Sequence, residues 1–230
     1  MQVNIKLIIS FIFIINYCYS QKEIPWSNPI YDNQVYHFGF IIGVSNTKCQ
    51  IEYGDSFTEQ SDFEQILSKY QPGFNVGIIM DAKIGKNYNL RITPSFNFTD
   101  QKIYFIKNNI ATTYPENNTG VSNFEIPVYF KYRSNRINNF RPYILLGGNY
   151  MVDLSATEEL VQSQKIEFHK NNFSLDIGFG LDVYFTYFKF SPEIKYSYGL
   201  RNMLIDQNND FNDIIKRLST RGLMISLTFE

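Results

Sequence analysis

The residues best suited to acid–base chemistry in this chain are its two histidines, His37 and His169. An imidazole beside a serine or an aspartate can support acyl transfer or proteolysis, because it moves a proton to and from a nucleophile. His169 adjoins a long polar segment, and Asp153 and Asp176 are the acids most able to approach it. An enzyme centred on His169 is therefore one open hypothesis.

No motif for a nucleophile, a phosphate or a metal accompanies these histidines. The chain contains no Gly-x-Ser-x-Gly, no P-loop, no His-Glu-x-x-His and no paired cysteines suited to a metal. We therefore predict no catalytic residue, no metal site and no cofactor, and we expect His169 to be a solvated loop residue.

Composition narrows the class of protein. Lys and Arg total 21 against 22 Asp and Glu, a formal net charge of −1 that provides no basic footprint for nucleic acid. Aromatic residues make up 17% and charged residues 19%, which excludes a disordered chain or a coiled coil. The overall hydropathy is too low for a bundle of membrane helices.

The N-terminus has the composition of an export signal. Lys6 precedes an apolar run, Leu7–Ile15, that is too short to span a bilayer as a helix. Cys18 and Ser20 are the small residues that a signal peptidase requires before a cleavage after Ser20. We predict a signal peptide over 1–20.

The mature chain would then consist of two parts. We predict a periplasmic N-terminal lead over 21–34, which carries Trp26, and a single barrel domain over 35–230. Cys49 would remain as a lone thiol, which we expect to lie in a loop without chemistry.

Most of the mature chain alternates apolar and polar side chains with period two, which indicates β-strands. Eight segments of about ten residues show the alternation, and this is the length of a tilted strand that crosses a membrane. The segments are Tyr36–Val44, Phe74–Ile84, Leu90–Phe98, Phe124–Arg133, Tyr143–Asp153, Phe173–Phe185, Phe190–Tyr198 and Gly222–Phe229.

The connections between these segments alternate in length. The short ones are 85–87, 134–140 and 186–188, and the long Asn-rich ones are 45–71, 100–121, 155–171 and 201–218. Short turns at one rim and long loops at the other are typical of outer-membrane barrels. We predict an all-β fold, an eight-stranded antiparallel transmembrane barrel with up-and-down topology. In the last connection, helical spacing predicts one short helix with Phe211, Ile214, Ile215 and Leu218 on one face.

Alternation alone leaves open whether the apolar face points outward to lipid or inward around a ligand, as in a lipocalin. Two features favour lipid: the apolar faces carry almost no charge, and tyrosines fall near strand ends, where aromatic girdles lie. The tyrosines assigned to the girdles are Tyr36, Tyr88, Tyr132, Tyr143, Tyr150, Tyr187 and Tyr198.

The last segment resembles the C-terminal assembly signal of outer-membrane barrels. Its signal positions are Gly222, Ile225, Leu227 and Phe229. Glu230 departs from the pattern, because it places the aromatic residue second from the end.

The polar face would line the lumen, which in an eight-stranded barrel has room only for side chains. Near-equal numbers of opposite charges should pair there, because an unpaired buried charge is costly. We therefore predict an ion-paired lumen without a pore, in which glycines such as Gly178 and Gly180 make room for long side chains. The predicted lumen charges are Asp81, Lys83, Arg91, Glu125, Lys131, Arg133, Arg141, Asp153, Asp176, Asp182, Lys189, Glu193 and Lys195.

A series of short motifs along the mature chain is similar to the PorT family of outer-membrane barrels from the Bacteroidetes type IX secretion system. The most specific are Arg136–Tyr143 (RINNFRPY) and Phe190–Lys195 (FSPEIK). They follow Phe38–Phe40 (FGF), Pro72–Gly77 (PGFNVG) and Phe124–Pro127 (FEIP) in order. The resemblance implies a component required for protein export across the outer membrane, linked to gliding motility in some relatives. It supplies no catalytic residue.

The sequence therefore predicts a structural or accessory barrel that acts through protein contacts. The expected partners are outer-membrane lipids, other secretion-system subunits and the barrel assembly machinery, with no nucleic acid and no small-molecule substrate. Both termini should face the periplasm. A small porin-like or adhesion barrel unrelated to secretion is the first alternative, and an enzyme at the barrel rim is the second.

Overall fold

The computed structural model describes residues 26–54, 65–99, 103–107, 110–114, 121–154, 169–204 and 215–230. The signal peptide predicted over 1–20 lies outside these residues. The strands are β1 (Tyr36–Tyr53), β2 (Gln65–Ser68), β3 (Gln71–Lys83), β4 (Tyr88–Ile92), β5 (Ser95–Thr99), β6 (Ile103–Lys107), β7 (Ile110–Tyr114), β8 (Val121–Arg133), β9 (Phe140–Asp153), β10 (Asn171–Tyr184), β11 (Lys189–Gly199) and β12 (Ile215–Phe229).

The main sheet closes on itself as an antiparallel barrel. Each barrel strand pairs with its sequence neighbours, and β1 joins the two ends because it pairs with both β3 and β12. Phe40 lies opposite Ile78 on one side and Phe229 on the other. The predicted all-β fold with an eight-stranded ring is confirmed. Among the described residues, no helix has the length and apolar character to cross a membrane.

One barrel strand is divided in two at Thr93 and Pro94. Proline has no backbone N–H to donate to a neighbouring strand, so the regular ladder is interrupted there. β4 and β5 both pair with β3 and β8, and they act together as the single strand predicted at Leu90–Phe98.

Two of the long connections contain regular structure that the sequence analysis assigned to loops. β2 pairs with β6, and β6 pairs with β7, to form a separate three-stranded sheet. These strands are short, and their alternation is too brief to distinguish them from polar loop sequence.

The prediction of a helix in the last connection is wrong for the part of it that the structure describes. Ile215 and Leu218 belong to β12, and Leu218 pairs with Ile51 of the extended β1. Both side chains are almost completely buried. Pairing and burial against β1 therefore override a helical spacing that was only a local signal. Phe211 and Ile214 lie outside the described residues.

The apolar faces of the barrel strands point outward, as predicted. Ile78, Ile177 and Ile225 are each more than half exposed in the middle of their strands, whereas the alternating polar residues are buried inside. We call these outward apolar side chains the apolar band. A band of this kind requires a hydrocarbon environment.

Tyr143 does not lie in an aromatic girdle, contrary to the prediction. Its side chain points into the barrel and is only 2% exposed. Its neighbour Ile144 takes the outward position, because successive side chains of a strand point to opposite faces. Of the other tyrosines assigned to the girdles, Tyr198 is half-buried and the rest are exposed: Tyr36, Tyr88, Tyr132, Tyr150 and Tyr187.

Candidate functional site

The lumen holds most of the charges that the sequence placed on the polar face. Lys83 and Asp153, close to strand ends, are half-buried. The remaining ones are buried: Asp81, Arg91, Glu125, Lys131, Arg133, Arg141, Asp176, Asp182, Lys189, Glu193 and Lys195.

Arg91 is the centre of an ion-pair network in the half of the barrel near the short turns. Its guanidinium group contacts the carboxylates of Asp81 at 2.8 Å, Glu193 at 2.5 Å and Glu230 at 2.8 Å. These residues come from β4, β3, β11 and the end of β12, so one side chain joins distant parts of the ring. An arginine suits this position because its planar donors can bind several carboxylates at once.

Three lysines complete this network. Lys131 lies 3.1 Å from Asp182, Lys189 lies 2.8 Å from Glu230, and Lys195 lies 3.2 Å from Glu193. Four carboxylates thus meet four cations, which limits the uncompensated charge in the lumen. We call this set the ion-pair plug: Asp81, Arg91, Lys131, Asp182, Lys189, Glu193, Lys195 and Glu230.

Glu230 is the member of the plug that the sequence analysis missed. Its side chain is fully buried and accepts hydrogen bonds from Lys189 and Arg91, each at 2.8 Å, and from the Tyr31 hydroxyl at 2.7 Å. The backbone of Glu230 also pairs with Lys189. The one sequence feature that could have indicated this role is the position of Glu230 directly after Phe229, whose ring stacks on the Phe40 ring at 4.9 Å.

The other residues of the expected assembly signal also lie in β12. Ile225 and Leu227 point outward in the apolar band, whereas Gly222 is buried opposite Thr47 of β1. This segment thus supplies both lipid-facing side chains and a pairing edge for β1.

The residues before β1 lie across the same end of the lumen. We call residues 26–35 the N-terminal strap, which includes a short 3-10 helix, Tyr31–Asn33. The ring of His37 stacks on Tyr31 at 3.9 Å, and its Nε2 lies 2.9 Å from the Tyr31 carbonyl oxygen. The Asp32 carboxylate accepts hydrogen bonds from Arg141 at 2.7 Å and Arg136 at 3.3 Å. The strap therefore continues the plug beyond the strands.

The half of the lumen near the long connections has a different character. Here a cavity leaves about 60 Å³ for the centres of water molecules. Many residues of its wall carry amides or hydroxyls: Ser45, Asn75, Ser95, Asn97, Thr99, Asn123, Asn149, Ser174 and Ser197. The carboxylates of Glu125 and Asp176 and the cationic side chains of Lys195 and Arg221 also line it. We call it the polar chamber.

Two buried tyrosines mark the boundary between the polar chamber and the ion-pair plug. Tyr129 and Tyr143 form a cluster with Leu145. The Tyr129 hydroxyl donates to Asp176 of the chamber at 2.8 Å, and the Tyr143 hydroxyl donates to Glu193 of the plug at 2.5 Å. Tyr143 has room because Gly180 faces it, and a Cβ at that position would overlap its ring.

The histidines and the aspartate considered for acid–base chemistry lie in different parts of the structure. His37 is buried beneath the strap, and the backbone N–H of His169 donates to the Met203 carbonyl oxygen at 2.8 Å. The Asp176 carboxylate accepts hydrogen bonds from Ser174, Ser197 and Tyr129. Within the described ranges, no group of three or more His, Cys, Asp or Glu residues is arranged to hold a metal ion.

The solved structures to which this chain is similar include three surface or outer-membrane proteins. Neisserial surface protein A is 13% identical, with 85% of this chain and 98% of that chain covered and a TM-score of 0.44. The attachment invasion locus protein Ail of Yersinia pestis is also 13% identical, with the same coverages and a TM-score of 0.39. The outer-membrane protein AlkL is 10% identical, with 92% of each chain covered and a TM-score of 0.38.

The sequence comparisons give a family but no individual relative. No curated protein matches this chain. The model of the family described as the outer membrane protein beta-barrel domain matches residues 21–204, which is most of the chain. This protein belongs to the outer membrane protein beta-barrel domain family.

Proposed function

We propose that this outer-membrane barrel is a closed, non-catalytic accessory component of a protein secretion machine, similar to the PorT component of the type IX system. It acts by contacts with other subunits of the machine, by its rims and its outward surface. The outer-membrane barrel itself follows from the family.

The ion-pair plug is the observation that carries the proposal. A porin-like function needs a continuous aqueous channel, but Arg91, Lys131 and Glu230 are at most 1% exposed in the lumen. Removal of one member would leave a buried charge unpaired, so the plug resists opening. A barrel whose lumen is closed in this way functions through its surfaces.

The proposed secretion role rests on the series of motifs along the chain that resemble PorT, above all Arg136–Tyr143. The surroundings of Arg136 in this motif support a role in contacts. Arg136 joins the strap by hydrogen bonds to the carbonyl oxygen of Ser27 and to Asp32, and its guanidinium group lies 5.1 Å from the Trp26 ring centroid. Trp26 is 55% exposed, which leaves an aromatic surface for a periplasmic partner.

Deletion of the gene tests the secretion role. We expect cells without it to retain cargo proteins that wild-type cells release, and we expect a plasmid copy to restore release. Normal release of every cargo by the deletion strain would remove the secretion role and leave the barrel fold unaffected.

Conductance separates the proposal from the porin alternative. The purified barrel, reconstituted in a planar bilayer, should give no steady current, whereas an established porin in the same bilayer should conduct. A stable single-channel current from this protein would reject the closed barrel and favour the small porin.

The proposed topology places both termini and the short turns in the periplasm, after removal of the signal peptide and insertion by the barrel assembly machinery. An epitope inserted in the turn at 186–188 should be hidden in intact cells, whereas one in the connection at 155–168 should be accessible to antibody. The reverse labelling would invert the topology.

A further inference from the structure

The polar chamber contains a row of three asparagines on adjacent strands. Asn75 of β3 lies opposite Asn97 of β5, which in turn lies opposite Asn123 of β8. All three face the lumen and are at most 3% exposed. Ordinary cross-strand packing needs no such row, since small apolar or hydroxyl side chains would fill the same space.

Several buried polar atoms of the chamber have no hydrogen-bond partner within the described part of the chain. They are Oδ1 of Asn97, Oδ1 of Asn149, Nδ2 of Asn123, Oγ of Ser45 and Nε of Arg221. Buried polar atoms are nearly always paired, so an unpaired group of them around one cavity indicates an occupant. The set mixes acceptors with donors, and a hydroxyl group, which both donates and accepts, matches such a mixture.

The carboxylates of the chamber also favour a neutral, hydroxyl-bearing ligand. Glu125 accepts hydrogen bonds from Asn97 at 2.8 Å and Asn149 at 3.2 Å, and Asp176 accepts from Ser197 at 2.6 Å. Lys195 and Arg221 also line the chamber, so two cations balance its two carboxylates and no net charge selects an anion or a cation. The remaining lone pairs of the carboxylates accept from hydroxyl groups.

The chamber also has room for more than one water molecule. Its volume of about 60 Å³ for water centres is several times the roughly 10–15 Å³ that admits a single water. A ligand with several hydroxyl groups, such as a sugar ring, would replace a cluster of waters while it keeps their hydrogen bonds.

We propose that the polar chamber is a binding site for one neutral saccharide unit, entered from the long-connection end of the barrel. Thr47 of β1 and Thr220 of β12, two half-buried residues of its wall, lie towards that end. The site departs from the sequence expectation of no small-molecule partner. It is independent of the secretion role, because its evidence lies wholly within the lumen.

The test is a titration of the purified full barrel in zwitterionic micelles, which avoid sugar-based detergents. The probes are glucose, galactose, mannose, N-acetylglucosamine and the trisaccharide chitotriose, followed by saturation-transfer NMR and calorimetry. We expect saturable, millimolar binding of at least one probe. Binding of chitotriose alone would identify the end of a glycan, rather than a free sugar, as the natural ligand.

Variants locate the binding in the chamber. Asn97→Leu should weaken it by at least about tenfold, because the apolar side chain removes a donor to Glu125 and fills the cavity. Glu125→Gln changes one acceptor into a donor without a change in size, and it should also weaken binding. This second variant provides the test if Asn97→Leu does not fold. Ser191→Ala is the matched control, since Ser191 donates to Asp182 of the plug at 2.7 Å.

Three results would overturn the proposal. They are no binding of any saccharide probe, equal binding by wild type and Glu125→Gln, and saturable binding of ethylamine in place of the sugars. The last result would identify the chamber as a site for organic cations.

Discussion

The carboxylate of Glu230 lies 2.8 Å from the guanidinium group of Arg91 inside the barrel, although the two residues are 139 positions apart in the sequence. The contact joins the end of β12 to β4 across the lumen. A residue that departs from the expected assembly signal therefore helps to close the barrel, and the plug depends on both partners.

Substitution of Arg91 should destabilise the barrel strongly. Arg91→Ala leaves Asp81, Glu193 and Glu230 without their shared cation, and removal of one partner of a buried ion pair costs about 3–5 kcal/mol. Urea-induced unfolding in lipid vesicles, followed by tryptophan fluorescence and circular dichroism, measures the loss. Lys86→Ala, at an exposed turn position, is the control and should change the free energy of unfolding by less than about 0.5 kcal/mol. Equal midpoints for the two variants would contradict the plug.

Neutralisation of Glu230 should have a smaller effect in the same direction. Glu230→Gln keeps the shape of the side chain and weakens, without removing, its hydrogen bonds to Lys189 and Arg91. A hydrogen bond to a charged group contributes about 1.5–3 kcal/mol, and the neutral amide oxygen retains part of it. The same unfolding measurement applies. Glu52→Gln alters an exposed carboxylate near the end of β1 and should leave the midpoint unchanged. A neutral result for Glu230→Gln would mean that the backbone pairing of β12 suffices.

A charge in the apolar band should oppose insertion into the bilayer. Ile177 lies in the middle of β10 and is 54% exposed outward, so Ile177→Arg should cost about 2–4 kcal/mol, the range for arginine near the bilayer midplane. Folding into vesicles from urea reports the difference. Tyr187→Arg at the exposed turn between β10 and β11 should cost at most about 1 kcal/mol. Similar costs at both sites would place Ile177 outside the hydrocarbon.

A methyl group at Gly180 should disturb the boundary between the plug and the chamber. A Cβ there would overlap the Tyr143 ring, so Gly180→Ala must displace the ring and weaken its hydrogen bond to Glu193. Overpacking of this kind costs about 1–3 kcal/mol in the free energy of unfolding. Gly85→Ala, in a turn where a Cβ would make only an ordinary contact with Tyr88, is the matched control. If Gly180→Ala unfolded at the wild-type urea midpoint, the predicted clash would be absent.

Cys49 should react slowly in the folded protein. It lies in β1, not in a loop as the sequence analysis predicted, and in the part of the strand beyond the apolar band, where Asn46 and Glu52 point outward. Burial raises the pKa of the Cys49 thiol to about 11. Since the thiolate is the reactive form, maleimide labelling at pH 8 should be slow and should accelerate as the pH rises towards that pKa or when urea unfolds the barrel.

The control for Cys49 is a second thiol in an open position. Tyr187→Cys in a Cys49→Ser background should label rapidly at pH 8, because position 187 is 93% exposed. Labelling of native Cys49 at the rate of this control would contradict its burial.

The sequence by itself determined the barrel. A period of two over segments of about ten residues, with apolar residues such as Ile177 at alternate positions, is compatible with a sheet that faces hydrocarbon on one side. The outward apolar face and the buried positions of Arg91, Lys131 and Asp182 follow from this alternation, because a strand turns successive side chains to opposite faces.

Only the tertiary structure decided which side chains meet inside. Glu230 joins the plug, and the strap residue Tyr31 donates a hydrogen bond to it, because ring closure brings the two ends of the described chain to one rim. No local sequence signal predicts this proximity. Leu218 became a strand residue because β1 continues beyond the apolar band and pairs with it. The polar chamber exists for the same reason: Asn75, Asn97 and Asn123 align only when the register of three strands is set, and register depends on the whole barrel.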